Sequence, residues 1–124
     1  MTRLPQQLEK AIQHHIGGHL AEAEAAYQLI LTVQPRHPDA LHLLGVIAYQ
    51  TGRHEQSHDL ISRALKAHPG FPEAHSNLGN TLRAMGRLEE AAVHYRKVLQ
   101  LPGNPDTAAR IRDILREPDM ARCP

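Results

Sequence analysis

Apolar side chains recur along this chain at intervals of three and four residues, the spacing that gathers them on one stripe of an α-helix. Leu41, Leu44 and Ala48 make one stripe and Leu60, Ile61, Ala64 and Leu65 the next; Leu78 and Leu82, then Leu88, Ala91, Ala92, Tyr95 and Leu99, repeat the pair further on. Prolines mark the starts. In Pro38-Asp39, Pro72-Glu73 and Pro105-Asp106 the ring sits where a helix has no use for its N–H, and the acid faces the positive end of the helix dipole. Gly18, Gly52 and Gly86 mark reversals, where a helix C-terminus calls for a residue that tolerates positive φ. The pattern predicts helices over 4–17, 20–34, 38–51, 54–67, 72–85, 88–101 and 105–117.

Those three glycines are 34 residues apart, and the same step links Ala23, Ser57 and Ala91; Tyr27, Ile61 and Tyr95; Ile30, Ala64 and Val98; and Leu31, Leu65 and Leu99. It also links Pro35 to Pro69, Leu44 to Leu78 and Gly45 to Gly79. A fixed period of this length is the mark of stacked helical hairpins. Gly45 and Gly79 fall inside helices, where glycine costs about 1 kcal/mol relative to alanine. The expected return is close approach of the second helix of the same unit, with Ala23, Ser57 and Ala91 as the small residues facing them and Ala11 filling the glycine's place in the first unit.

These residues at this step resemble the tetratricopeptide repeat over about residues 4–104. The resemblance implies an all-α, right-handed solenoid of three helix-turn-helix units (4–37, 38–71 and 72–104) closed by a capping helix at 105–117, together one domain over 1–117. The first unit has Lys10-Ala11 in place of Leu-Gly, as suits a terminal unit with one face in water. His75 and Leu41 stand where relatives carry a large aromatic, and Arg112 stands where Gly45 and Gly79 sat, so the last helix reads as a cap rather than half of another hairpin. Residues 118–124 show no periodicity and are expected to be a mobile tail.

Composition narrows the function. Fourteen Lys and Arg against thirteen Asp and Glu leave a net charge of +1, and residues 105–124 are neutral with no aromatic platform, so nucleic acid is not the expected partner. No apolar run is long enough to insert in a membrane, and the opening residues lack a signal peptide's apolar core, which makes the cytoplasm the expected compartment. The serines at 57, 62 and 76 have no triad around them, no phosphate loop is present, and Cys123 stands alone, so neither an enzyme nor a cofactor is expected. The ten histidines include His54 and His58 at i, i+4, two ligands that fall short of a metal site, and no metal is expected. Protonation of these histidines below about pH 6 is expected to load the solenoid with positive charge.

What remains is protein interaction. By resemblance the first helix of each unit lines the concave surface, and its positions not used in packing are the candidate groove: Asp39, His42, Leu43, Val46, Tyr49 and Gln50; then Glu73, Ser76, Asn77, Asn80 and Arg83; then Arg110 and Arg116 from the cap. Leu8, Glu9, Ile12 and Ile16 extend it at the amino end. The groove grades from apolar to amide- and arginine-rich, which suits an extended or helical peptide, apolar then acidic. Asn77 and Asn80 offer carboxamides that can hold a peptide backbone without reading its side chains. Relatives that hold chaperone tails use lysines, an arginine and asparagines where this chain has Leu8, Ile12, Leu43, Ser76 and Asn80, so that recognition is not expected. Two other readings stay open: the substrate-recruiting region of a larger transferase, as in repeat regions of O-GlcNAc transferases and bacterial sulfotransferases, and a scaffold that self-assembles into a homo-oligomer.

Overall fold

The computed structural model describes residues 3–123; the parts of the sequence reading that fall on Met1, Thr2 and Pro124 lie outside them. The seven expected helices form as α1 (Leu4–Ile16), α2 (Leu20–Val33), α3 (Pro38–Gln50), α4 (His54–Ala67), α5 (Pro72–Ala84), α6 (Leu88–Gln100) and α7 (Pro105–Leu115), followed by a single turn, α8 (Pro118–Ala121). No strand occurs among the described residues.

Each hairpin turn is built the same way. Gly18, Gly52 and Gly86 have φ of 81°, 79° and 77°, the left-handed region that only glycine enters freely. The residue after each glycine then donates its N–H back five residues, His19 to His14, Arg53 to Ala48 and Arg87 to Leu82, at 2.7–2.9 Å. This is the Schellman closure, which satisfies orphan carbonyls at a helix end while reversing the chain.

Helices pack in chain order, α1 on α2 through α6 on α7, so that every hairpin lies against the next. Two continuous apolar clusters result. Ala11, Tyr27, Ile30, Leu41, Leu44 and Ile47 fill the first, and Ile61, Leu78, Leu82, Tyr95, Val98 and Ile111 the second. On the outer face of the first hairpin, Gln7, Lys10 and His14 replace the column mates Leu41, Leu44 and Ala48, which are buried in the second.

The second helix of the same unit does approach each helical glycine closely, and the structure revises which residue faces it. A Cβ on Gly79 would stand 2.6 Å from Cε1 of Tyr95, and one on Gly45 would stand 2.6 Å from Cγ1 of Ile61. The glycine therefore seats the large residue of the Tyr27–Ile61–Tyr95 column, not the small residue of the Ala23–Ser57–Ala91 column. Ser57 instead faces the next unit, its hydroxyl 3.0 Å from that of Thr81 on α5.

The expected mobile tail is a second revision. Residues 118–121 form α8, which packs on α6 and α7 and buries Met120 to 1% exposure. Pro118-Asp119 opens this turn with the same proline–acid pair that opens α3 and α7.

Candidate functional site

The first helices of the three hairpins stand side by side. His15 on α1 donates from Nε2 to Oε1 of Gln50 on α3 at 2.8 Å, and Nδ2 of Asn77 on α5 donates to Nε2 of His42 on α3 at 2.8 Å. Bonds of this length between α1 and α3 and between α3 and α5 join the three helices into one wall, to which the candidates of α3 and α5 belong.

Much of the wall's polar chemistry is used internally. With Nε2 of His15 donating to Gln50, its Nδ1 accepts from the Tyr27 hydroxyl at 3.2 Å. At the other end, the Tyr95 hydroxyl donates to Oδ1 of Asn80 at 2.6 Å. Burial pushes both tyrosines up to about 12, so these hydroxyls remain donors throughout the physiological range. Asn80 in turn donates to Oδ1 of Asn77 at 3.5 Å, which completes a chain from Tyr95 through Asn80 and Asn77 to His42. The two carboxamides expected to grip a peptide backbone are thus held in place by the core behind them, which fixes their orientation and commits part of their bonding capacity.

Several candidates are not on open surface. His42 is 5% exposed and Ser76 7%, so neither side chain is offered to a ligand. Burial pulls the His42 imidazole down to about 4, against a smaller opposing pull from Asp39 and Glu73. The expectation that all the histidines charge together below pH 6 is revised accordingly, and His94 shifts in the same direction, first because it is buried and next because it faces His75. Gln50 is occupied by His15.

Leu43 and Val46 are half-buried on α3, and Tyr49, one turn along, is 37% exposed with its ring 5.5 Å from that of His54. They form an apolar strip beside the carboxamides. Asp39 and Glu73 are exposed near the amino ends of α3 and α5. Arg110 and Arg116 are exposed on α7, where Arg116 reaches Asp113 at 3.3 Å.

Arg83 is engaged from outside its own hairpin. Its Nε and Nη2 donate to the two carboxylate oxygens of Asp119 at 2.8 and 2.7 Å, a fork-to-fork pair that holds the aspartate below the usual carboxylate range. Asp119 is not among the sequence-based candidates, because the segment carrying it has no repeat period.

Among the described residues no group of three or more metal-ligating side chains could hold an ion, and no helix is long and apolar enough to cross a membrane.

Comparison with known proteins agrees with this architecture. Two tetratricopeptide-repeat models match, one over residues 17–80 and the other over 72–101. A UDP-N-acetylglucosamine–peptide N-acetylglucosaminyltransferase of Caenorhabditis elegans is 34% identical over 83 residues, which make up 67% of this chain but 7% of that protein. Among solved structures, a mutant O-GlcNAc transferase of Thermobaculum terrenum superposes with a TM-score of 0.84 at 27% identity, covering 93% of this chain and 23% of that one. The first repeat domain of Spaghetti (RPAP3), bound to an HSP90 peptide, shares the fold at a TM-score of 0.79 and 22% identity, covering 90% and 89% of the two chains. With the period, the turn glycines and a model match over half its length, the chain is a member of the tetratricopeptide repeat family.

Proposed function

We propose that this chain is a non-catalytic docking module that grips a peptide segment of a protein partner along the wall of α1, α3 and α5, its concave face. One observation carries the reading. The wall joins an apolar strip, Leu43, Val46 and Tyr49, to carboxamides fixed from behind, Asn77 and Asn80. Fixed side chains lower the ordering cost of binding, because little conformational freedom is left to lose on the protein's side. The Spaghetti domain, of similar size and fold, holds a peptide. The chaperone tail is not the occupant favoured here, since Leu8, Ile12, Leu43 and Ser76 supply no cation where its recognition needs one.

The test is selection of peptides from a displayed library against the full chain, followed by calorimetric titration. Leu43→Glu with Val46→Glu should weaken the selected peptide at least tenfold and leave helicity unchanged. Undiminished affinity in that variant would contradict the reading.

A second reading, that the module recruits substrate for a larger transferase, is favoured by the similarity to two O-GlcNAc transferases, of which the chain spans 7% and 23%. A reading frame that runs into a transferase domain would support it; a stop codon directly after Pro124 would contradict it.

A further inference from the structure

A four-residue helix cannot hold itself, since one turn fixes several dihedrals for few hydrogen bonds. Contacts with the rest of the chain must therefore place α8, and three are seen. Met120 is buried in the second apolar cluster, Asp119 takes both arms of the Arg83 fork, and Nη2 of Arg96 donates to the Cys123 carbonyl at 3.0 Å. The remainder of the segment contributes little: Pro118, Ala121 and Arg122 are all exposed. Arg83, by contrast, belongs to the docking wall, one turn beyond Asn80 and close enough to Tyr95 to act on its hydroxyl.

We infer that the Arg83 end of the wall is a carboxylate-binding subsite, and that Asp119-Met120 is its built-in occupant, standing in for an acidic residue followed by a large apolar one in the partner. The inference rests on the docking reading and gives its acidic end a structure. A guanidinium fork selects a planar carboxylate by two parallel bonds, and here those bonds are already made to one. The ion pair is partly exposed, with side chains 31% and 40% accessible, so water partly screens it and a competing carboxylate can reach it. Methionine is a forgiving anchor, unbranched and easily exchanged for another apolar side chain. Tethering favours the internal occupant, because a short linker presents it at an effective concentration of roughly millimolar. A partner must exceed that before α8 yields, so α8 screens out weak acidic ligands.

The probe is a synthetic peptide copying residues 117–122, titrated into the isotope-labelled full chain and followed by NMR at the Arg83 side chain and along α5. Asp119→Asn should bind it at least threefold more tightly than the native chain, and Asp119→Asn with Met120→Ala at least tenfold. Adding Arg83→Gln to Asp119→Asn should remove the gain. Equal affinity across native and vacated proteins, or a gain that survives loss of Arg83, would overturn the inference. Should the Met120 variant lose helicity, Asp119→Asn alone carries the comparison, since it leaves the buried anchor in place. The probe is aimed at Arg83 and not at the Leu43–Val46 strip, so its failure would leave the wider docking reading to be judged by its own variant.

Discussion

At the scale of single residues, the helical glycines make the sharpest claim. A methyl group at position 79 would lie 2.6, 2.8 and 2.9 Å from three carbons of the Tyr95 ring, and one at position 45 would lie 2.6 Å from Cγ1 of Ile61. Neither a buried ring bonded to Asn80 nor a buried β-branched side chain can step aside freely. Gly79→Ala and Gly45→Ala should therefore each cost about 2 kcal/mol, lowering Tm by roughly 8 °C. An unchanged melting temperature in either variant would contradict the close approach. His42 makes the second claim. Its Nε2 accepts from Asn77 only while unprotonated, and its folded value of about 4 lies below the ordinary 6.5. Between those values the unfolded chain binds the proton and the folded chain does not, so stability falls as pH drops through that window, by up to about 3 kcal/mol from this group. Thermal melts of His42→Gln against the native chain from pH 7 to 4 should show the slope reduced; parallel curves would contradict it. The need for small residues at 45 and 79 was legible in the sequence. Which side chain fills the space was not, because a period fixes the column a residue belongs to but leaves its direction across the hairpin open.

Among the helices, the turns and starts were legible because each depends on one local residue: glycine at positive φ, or proline with an acid beside it. The seam between the second and third hairpins was not. Ser57 sits in a column filled by alanines in the other copies, so the period reads it as a packing residue, and the Thr81 column holds Gln13 and Ile47, which points to no polar partner. In the structure Ser57 and Thr81 meet at 3.0 Å in a fully buried contact, and Thr81 also donates to the Asn77 carbonyl, so Ser57 must be the donor between them. Removing the Thr81 hydroxyl leaves Ser57 a buried donor without its acceptor, whereas removing both does not. Thr81→Val should thus cost about 1 kcal/mol, and Thr81→Val with Ser57→Ala no more than the single change. Denaturant melts giving strictly additive losses would contradict the buried pair. α8 escaped the reading for another reason: with one turn there is no periodicity to detect, and only its Pro118-Asp119 start and the buried Met120 betray it.

Over the whole molecule, the repeat divides the labour between two sets of side chains. One set recurs every 34 residues and closes the core. The other departs from copy to copy along one wall, Leu43 opposite Asn77, Val46 opposite Asn80 and Tyr49 opposite Arg83, and this departure gives the wall a direction from apolar to polar. The column arithmetic made that gradient visible from sequence alone. It could not show that His42 and Ser76 are buried, that Gln50 is held by His15, or that Arg83 already holds a carboxylate, because these bonds join residues 35 or 36 positions apart, or depend on a turn with no repeat. The measurement that bears most directly on the account is an NMR titration of the labelled full chain with a library-selected peptide, read at every backbone amide and methyl group. The account predicts saturable shifts concentrated at Leu43, Val46, Asn77, Asn80 and Arg83; shifts confined to the outer helices α2, α4 and α6, with that wall unmoved, would contradict it.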